Sequence, residues 1–300
     1  MEINIEDKFN IEVDEKAVKA VIEELKGNVS KRVADLDFKK TCLSLIDLTT
    51  LNTTDGMERA EMFAANVNGF AEAYPGIPNV AAICVYPTLI SSVRESLTAS
   101  GVKIASVAAG FPSSQTFLEV KLSECEMCIE NGADEIDIVI SLGRFLEGDL
   151  FTVFSEIQQI KEICGDARLK VILETGAIPT LSQVRLASLL AMEAGADFIK
   201  TSTGKLEPAA TPEAVYTMCV AIKDFHEATG RMVGIKPAGG MNVSEDAALY
   251  YLIVEKILGK NWLYSQWLRF GASRLADNLL SDIRGEKTVY FSASGGTSKY

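Results

Sequence analysis

The chain has 300 residues, of which 48% are hydrophobic, so it can bury the core of one large domain or two ordinary ones. A formal net charge of -12 disfavours nucleic acid or an anionic membrane surface as the main partner, because both select basic surfaces. The single histidine, His226, excludes sites built from several imidazoles, such as those of zinc hydrolases, and we expect it to be a solvated helix residue. Proton chemistry therefore falls to lysine, carboxylate, tyrosine or water.

The six cysteines are scattered through strand-like and helix-like patterns without the dense spacing of small secreted domains. This favours free thiols in a reducing, cytoplasmic compartment. The pair Cys125 and Cys128 lies inside a helical pattern with no partner pair for zinc, so we interpret it as helix packing. The start of the chain lacks the pattern of a signal peptide, and Pro87 interrupts the longest apolar run, which indicates no membrane span.

Residues 1–42 precede the first predicted strand and form an N-terminal helical extension. Asp14 is placed to cap a helix that Gly27 would end. We expect the apolar face of this helix to cover the N-terminal mouth of the main domain or to make a subunit contact, and we assign it no chemistry. The predicted face consists of Ala17, Val18, Val21, Ile22 and Leu25.

Residues 43–290 alternate short, almost continuously apolar runs with amphipathic helical stretches such as 116–131 and 182–194. The runs start roughly 24 to 36 residues apart, which is the length of one βα unit. Eight such units predict a closed (β/α)8 barrel of the TIM type, and an open doubly wound sheet is the alternative, although no GxGxxG follows the first strand. The predicted strands are LSLIDLT, NVAAICVY, KIASVAAGF, EIDIVIS, LKVILET, FIKTST, VGIKPAG and LRFGAS.

Two lysines, Lys200 in FIKTST and Lys236 in VGIKPAG, lie inside apolar strands, and Asp137 lies among the isoleucines of EIDIVIS. Burial and a second nearby ammonium both lower the pKa of a lysine, so either amine is a candidate nucleophile toward a carbonyl. An ionised Asp137 in such a strand needs a cation or a proton relay. The alternative is a purely structural ion pair, which three such residues on three strands make less attractive.

Glycine-rich segments follow the last strands, where barrels of this type often bind phosphate through backbone N–H groups. They are PAGG at 237–240 and FGAS at 270–273. A local anion site of this kind is compatible with an acidic protein. The TGK at 203–205 is not a nucleotide-binding loop, because the upstream glycine spacing is wrong and Leu206 follows the lysine.

Residues 291–300 are mostly small and polar, and composition alone predicts a mobile C-terminal tail, which ends in Tyr300.

The motifs together closely resemble those of deoxyribose-phosphate aldolases, from about residue 43 to the end of the chain. They touch every predicted strand. The matching segments are IDLTTLN at 46–52, AAICVYP at 81–87, GADEIDIV at 132–139, LKVILETG at 169–176, ADFIKTSTGK at 196–205, GIKPAGG at 234–240 and RFGAS at 269–273.

The resemblance implies a class I, lysine-dependent aldolase that needs no metal and no organic cofactor. Lys200 would form the Schiff base, and Asp137 and Lys236 would transfer protons. Tyr300 matches a C-terminal tyrosine that can fold back over the site, and Arg274 departs from the family, where a small hydroxyl residue is common. The implied substrate-binding residues are Asp47, Thr49, Cys84, Gly204, Lys205, Gly239, Gly240 and Ser273.

The implied reaction is the reversible cleavage of 2-deoxy-D-ribose 5-phosphate to D-glyceraldehyde 3-phosphate and acetaldehyde. The implied partners are a small phosphorylated sugar and acetaldehyde, with no nucleic acid and no membrane, and a homodimer is compatible with the fold family. Three alternatives stay open: another lysine-imine phosphosugar aldolase, a pyridoxal-phosphate enzyme, and a non-catalytic phosphosugar-binding barrel.

Overall fold

The computed structural model describes residues 5–292, so Tyr300 and most of the predicted tail lie outside the described residues. Eight parallel strands form one sheet in the order β7-β6-β5-β4-β3-β2-β1-β8, in which each strand lies beside its neighbours in the chain and β1 also pairs with β8. The strands are β1 Ile46–Thr49, β2 Ala82–Val85, β3 Lys103–Val107, β4 Glu135–Val139, β5 Arg168–Ile172, β6 Phe198–Lys200, β7 Gly234–Lys236 and β8 Phe270–Ala272.

Bridges between Ile235 and Leu268 and between Ala238 and Gly271 join the β7 segment to the β8 segment. They complete the ring of eight strands, and the predicted (β/α)8 barrel is confirmed. Because all strands are parallel, their carboxyl ends meet at one face of the barrel.

Helices surround the barrel, and three short 3₁₀ turns lie at Pro87–Leu89, Thr175–Ala177 and Lys260–Trp262. No helix within residues 5–292 has the length and apolar character required to cross a membrane. The helices are α1 Glu15–Val33, α2 Leu36–Ser44, α3 Met57–Ala73, α4 Ile90–Ser96, α5 Leu118–Glu130, α6 Leu142–Leu146, α7 Leu150–Cys164, α8 Leu181–Glu193, α9 Pro212–Thr229, α10 Ser244–Leu258 and α11 Arg274–Arg284.

The first strand begins later than its apolar run. The side chain of Asp35 accepts hydrogen bonds from the N–H groups of Asp37 and Phe38, and the helix that it caps continues through Leu43. Local capping therefore assigns the first residues of LSLIDLT to α2, which packs on α11, and the strand starts at Ile46.

The N-terminal extension has the predicted cap and part of the predicted buried face, since Ala17 is exposed and Val21 is half-buried. Asp14 accepts from the N–H groups of Lys16 and Ala17, and the helix buries Val18, Ile22 and Leu25 against α9 and α10. The predicted end at Gly27 is wrong, because α1 continues to Val33. Gly27 lies on the exposed side of α1. A glycine inside a helix costs about 1 kcal/mol relative to alanine, and the packing of the helical turns before and after Gly27 outweighs this cost.

His226 is not the solvated residue that the sequence predicted. It lies half-buried on α9, with its ring edge-to-face against the ring of Trp262 at a centroid distance of 5.2 Å. The buried face of α9 therefore includes His226, although the residues next to it in the sequence are mostly polar or charged. Cys125 and Cys128 are buried in α5 as free thiols, as predicted.

The last described residues are fixed to the barrel by one carboxylate. Asp277 on α11 accepts from the N–H groups of Tyr290, Phe291 and Ser292 at 2.8, 2.8 and 3.1 Å. The buried ring of Phe291 stacks on Phe70 of α3. This anchor places residue 292 beside the α3 and α11 side of the molecule.

We predict that Gly27→Ala raises the free energy of unfolding by about 0.5–1 kcal/mol, because alanine is the better helix former and a Cβ at this position meets no atom within 4 Å. Urea unfolding of both proteins measures the difference. An unchanged or lower stability would contradict an α1 helix that is continuous through this residue.

Candidate active site

The barrel places the predicted chemical residues in its interior as two register pairs, which lie two residues apart along the strands. Lys200 on β6 is in register with Lys236 on β7, and Asp137 on β4 is in register with Lys170 on β5. Side chains alternate along a strand, so these four residues all point into the barrel. The predicted grouping of Lys200, Lys236 and Asp137 is therefore present in the structure.

One carboxylate joins three lysines. The Oδ2 atom of Asp137 accepts from the Nζ atoms of Lys200 and Lys236, each at 2.8 Å, and its Oδ1 accepts from the Nζ of Lys170 at 2.9 Å. Asp137 has no exposed surface, and Lys200 is 3% exposed. A buried carboxylate is stable only with such compensation, because desolvation of an isolated ion costs several kcal/mol.

Two further carboxylates and one guanidinium group bind to this cluster of lysines. Asp47 on β1 pairs with Lys236 at 2.5 Å through Oδ2 and with Arg269 at 2.5 Å through Oδ1. Glu135 on β4 pairs with Lys170 at 2.6 Å and with Arg269 at 2.8 Å. The charged side chains therefore form one continuous network across the barrel interior.

This network contains four cationic side chains and three carboxylates, so it is one positive charge in excess if every group is ionised. The excess is removed if one lysine is neutral. Burial lowers the pKa of Lys200, and the ammonium of Lys236 lowers it further, while Asp137 acts in the opposite direction. Burial also acts on Lys170 and Lys236, but the neighbouring carboxylates outweigh it and raise their pKa values above the ordinary value. Lys200 is therefore the amine from which the network most readily loses a proton.

The sequence prediction that both strand lysines have a lowered pKa is wrong for Lys236. Burial does act to lower its pKa, but Asp137 and Asp47 outweigh that effect. Burial in turn acts to raise the pKa of Asp47, yet the Lys236 ammonium and Arg269 hold that pKa below its usual range. Because Lys236 contacts two carboxylates and Lys200 contacts one, the two lysines differ in electrostatic environment.

Three further residues predicted to line the pocket lie at the β1 and β2 side. Asp47 belongs to the charge network, Thr49 is buried and donates from its Oγ1 to the backbone carbonyl of Asp47, and Cys84 is fully buried. Burial raises the pKa of the Cys84 thiol, so the side chain is a neutral packing group. The interior is charged on one side and apolar on the other, where Cys84 clusters with Leu51, Ala82, Ala105 and Val107.

The predicted phosphate-binding glycines converge at the carboxyl ends of β6 and β7. Three glycines, Gly204, Gly239 and Gly240, have φ angles of 73°, 78° and 77°, which residues with a side chain rarely adopt. A Cβ on Gly239 would lie 2.7 Å from the Cβ of Ala209 and 3.3 Å from the Cα of Gly204. The two loops therefore approach each other as closely as glycine allows.

The remaining predicted phosphate residues border the same region. Ser273 is buried and immediately precedes α11, so it stands at the positive end of that helix dipole. The Nζ of Lys205 reaches across the barrel mouth to the carbonyl oxygen of Leu51 at 2.5 Å. Arg274 is exposed and donates to the side chain of Asn242 at 3.2 Å, in the loop that follows Gly240.

Sequence reasoning missed four charged residues of the site: Lys170, Glu135, Arg269 and Glu174. Lys170 lies in the middle of a strand run, and Glu135 and Arg269 lie at strand beginnings, whereas the functional side chains of a barrel are expected at strand ends. Side chains alternate along a strand, so if Asp137 points into the barrel, Glu135 does too. This alternation was the one sequence signal that could have identified Glu135.

Comparison with known proteins shows the family of the chain. A sequence model described as DeoC/LacD family aldolase matches residues 41–257. A putative deoxyribose-phosphate aldolase of Caenorhabditis elegans is 43% identical over 256 residues, which cover 85% of this chain and 84% of that protein. The deoxyribose-phosphate aldolase of Homo sapiens is 39% identical over 274 residues, which cover 86% and 82%.

Among solved structures, the tetrameric deoxyribose phosphate aldolase of Aeropyrum pernix aligns with a TM-score of 0.66 and 25% identity, covering 86% of this chain and 97% of that one. The fold and the matched region place the protein among the (β/α)8-barrel aldolases. The chain belongs to the DeoC/LacD aldolase family, which includes its deoxyribose-phosphate aldolase relatives, and it is an aldehyde-lyase. The resemblance that the motifs indicated is confirmed.

We predict that Arg269→Met lowers the free energy of unfolding by about 3–5 kcal/mol, because it leaves Asp47 and Glu135 buried with one cation fewer. Chemical denaturation measures the loss. The matched control is Lys223→Met, which removes a half-exposed lysine of α9 and should change stability by less than about 0.5 kcal/mol. A similarly small effect of Arg269→Met would contradict a structural role of this ion network.

Proposed function

We propose that the protein catalyses the reversible cleavage of 2-deoxy-D-ribose 5-phosphate to D-glyceraldehyde 3-phosphate and acetaldehyde through a Schiff base on Lys200. The observation that carries the proposal is the charge balance of the buried network, in which Lys200 alone of the three lysines has a lowered pKa. A neutral amine in a barrel interior is the nucleophile that a carbonyl substrate requires. The family membership supports the same reaction.

In the cleavage direction, the Nζ of Lys200 attacks the aldehyde carbon of the open-chain sugar, and loss of water gives an iminium ion. The iminium accepts the electron pair of the breaking C2–C3 bond, so the two-carbon fragment stays on the lysine as an enamine. The C3 hydroxyl loses its proton as this bond breaks. Protonation of the enamine carbon and hydrolysis then release acetaldehyde and restore the free amine.

Asp137 and Lys236 are proposed to move these protons. Their direct contact with each other and the contact of Asp137 with the Nζ of Lys200 support this role, because a general acid or base must lie within hydrogen-bond reach or one water of the reacting group. Lys236 also keeps its charge near Lys200, which favours the neutral form of the nucleophile.

The phosphate group is proposed to bind at the loops that contain Gly204, Gly239 and Gly240, with Ser273 and the N-terminus of α11 opposite. Their positive φ angles and the short approach between the loops support a backbone site, and Lys205 adds a cationic side chain at the mouth. Tyr300 is retained as a proposed residue of this site on the family resemblance alone.

A homo-oligomer and a cytoplasmic location complete the proposal. Exposed apolar side chains of α5 and the residue before it, Phe117, Val120 and Met127, support a subunit contact, as does the tetrameric relative from Aeropyrum pernix. The six buried free thiols fit a reducing compartment.

We predict that incubation with acetaldehyde and borohydride adds an ethyl group to Lys200, because reduction of the imine fixes the two-carbon fragment on the nitrogen. Peptide mass spectrometry locates the adduct. Lys200→Met should abolish both the adduct and turnover, whereas the exposed-lysine variant Lys223→Met should keep both. An unmodified Lys200 in a preparation that cleaves the sugar would overturn the assignment, and a protein that forms the adduct on no lysine and cleaves nothing would indicate a non-catalytic barrel.

We further predict that kcat/KM falls as the pH drops through the lowered pKa of Lys200, because protonation removes the nucleophile. In Lys236→Met, Lys200 loses a neighbouring cation and Asp137 loses a competing partner, so the pKa of Lys200 rises. The acidic limb of the pH profile should therefore move to higher pH, with turnover reduced by about 10²- to 10⁴-fold. An acidic limb that stays at the wild-type position would contradict electrostatic coupling between the two lysines.

A further inference from the structure

One buried carboxylate near the barrel mouth has no part in the proposed chemistry. Glu174 follows β5, is 5% exposed, and has φ and ψ angles of 57° and 55°. This left-handed conformation is uncommon for a residue other than glycine, and it persists only where surrounding contacts hold it. The contacts of Glu174 therefore indicate what its conformation achieves.

Both carboxylate oxygens of Glu174 bind the same residue of the next loop. Oε1 accepts from the N–H of Thr203 at 3.1 Å, and Oε2 accepts from its Oγ1 at 2.6 Å. The Oγ1 of Thr203 accepts in turn from the N–H of Lys205 at 3.0 Å. Gly204, with its positive φ angle, lies between the two bonded residues. Glu174 thus holds Thr203 directly and, through the Thr203 hydroxyl, contributes to the shape of the segment 203–205.

The loop after β6, which contains this segment, is packed between the loops that follow β5 and β7. A Cβ on Gly176, two residues after Glu174, would lie 1.8 Å from the carbonyl oxygen of Pro208. On the opposite side, a Cβ on Gly239 would lie 3.3 Å from the Cα of Gly204. The loop that starts after Lys200 therefore has little room to move relative to the nucleophile and to the glycines after β7.

If the distance between the amine and the anion site is fixed, the site favours substrates whose carbonyl and anionic group are separated by that distance. The aldehyde carbon must reach the Nζ of Lys200, while a phosphate on the far end of the sugar must reach the backbone around Gly204 and the side chain of Lys205. If the segment 203–205 is free to relax, its N–H donors are no longer held in position for the phosphate, whereas the amine of Lys200 stays in place. Loosening this segment should therefore weaken phosphate recognition more than carbonyl chemistry.

We propose that Glu174 is a positioning residue that sets the preference of the enzyme for phosphorylated over unphosphorylated sugars, by holding the segment 203–205 in its anion-binding shape. The inference rests on the proposed function. A glutamate that only ties two loops together for stability is the competing explanation, and it predicts equal losses for the two kinds of substrate.

The test compares kcat/KM for 2-deoxyribose 5-phosphate with kcat/KM for 2-deoxyribose in wild-type protein, Glu174→Leu and Glu174→Gln. We expect the ratio of the two values to fall at least about tenfold in Glu174→Leu, mainly through KM of the phosphorylated sugar, since it loses two hydrogen bonds to a charged acceptor. Glutamine can accept from the N–H of Thr203 and donate to its Oγ1, so Glu174→Gln should stay within about threefold of the wild-type ratio. An unchanged ratio in Glu174→Leu overturns the inference.

A second pair of variants covers the case in which Glu174→Leu does not fold. Thr203→Val removes the hydroxyl that bonds both Glu174 and Lys205, and Thr203→Ser keeps it. We expect the ratio to fall in the valine variant and to stay near wild type in the serine variant; equal ratios overturn the inference. Thr180→Ala controls for loss of stability alone. It removes the exposed N-cap of α8 in the loop that contains Glu174, and it should keep the wild-type ratio.

Binding of inorganic phosphate separates this inference from the proposed reaction. Calorimetric titration of wild-type protein and Glu174→Leu should show affinity weakened at least about tenfold by the substitution, and equal affinity overturns the positioning role. Borohydride trapping of acetaldehyde on wild-type Lys200 reports on the proposed reaction and involves no phosphate. The positioning role of Glu174 and the Schiff base on Lys200 can therefore fail independently of each other.

Discussion

The structure depends on how a single carboxylate, Asp137, is shared among three lysines inside a barrel. Its two oxygens bind Lys170 on one side and the pair Lys200 and Lys236 on the other. Without that carboxylate, three ammonium groups would repel one another in a medium that solvates charge poorly. With it, two lysines remain cations while the third is the amine with the lowered pKa.

The barrel supplies this arrangement because its parallel strands close into a ring and turn these side chains toward one interior. Asp137 and Lys170 are paired in register on β4 and β5, and Lys200 and Lys236 on β6 and β7. The closed ring also brings Asp137 and Asp47 to Lys236, although these residues are far apart in the chain. The apolar half of the interior, around Cys84 and Val107, confines the charges to the other half. The interior is therefore divided into one wall of charged side chains and one wall of apolar side chains.

Much of the fold and part of the site follow from the sequence. Apolar runs at βα spacing predict all eight strands, and polar residues in such runs point to Asp137, Lys200 and Lys236. Gly27 does not end its helix, because propensity is local whereas packing of the flanking turns of α1 is not. The difference between Lys200 and Lys236 is likewise inaccessible to burial arguments, since it depends on Asp47, which the chain brings from the first strand. A lysine in the middle of an apolar run, such as Lys170, carries no sign of which carboxylates will surround it.

The ion network also bears on how the chain reaches its folded state. Its bonds join residues separated by 33 to 222 positions, the longest separation being that between Asp47 and Arg269. A barrel lacking its first or last strand would hold a buried carboxylate or guanidinium without its partner, at a cost of several kcal/mol. Incomplete barrels are thereby disfavoured relative to the closed one, so the buried charges that set the proton affinity of Lys200 also favour closure of the complete ring.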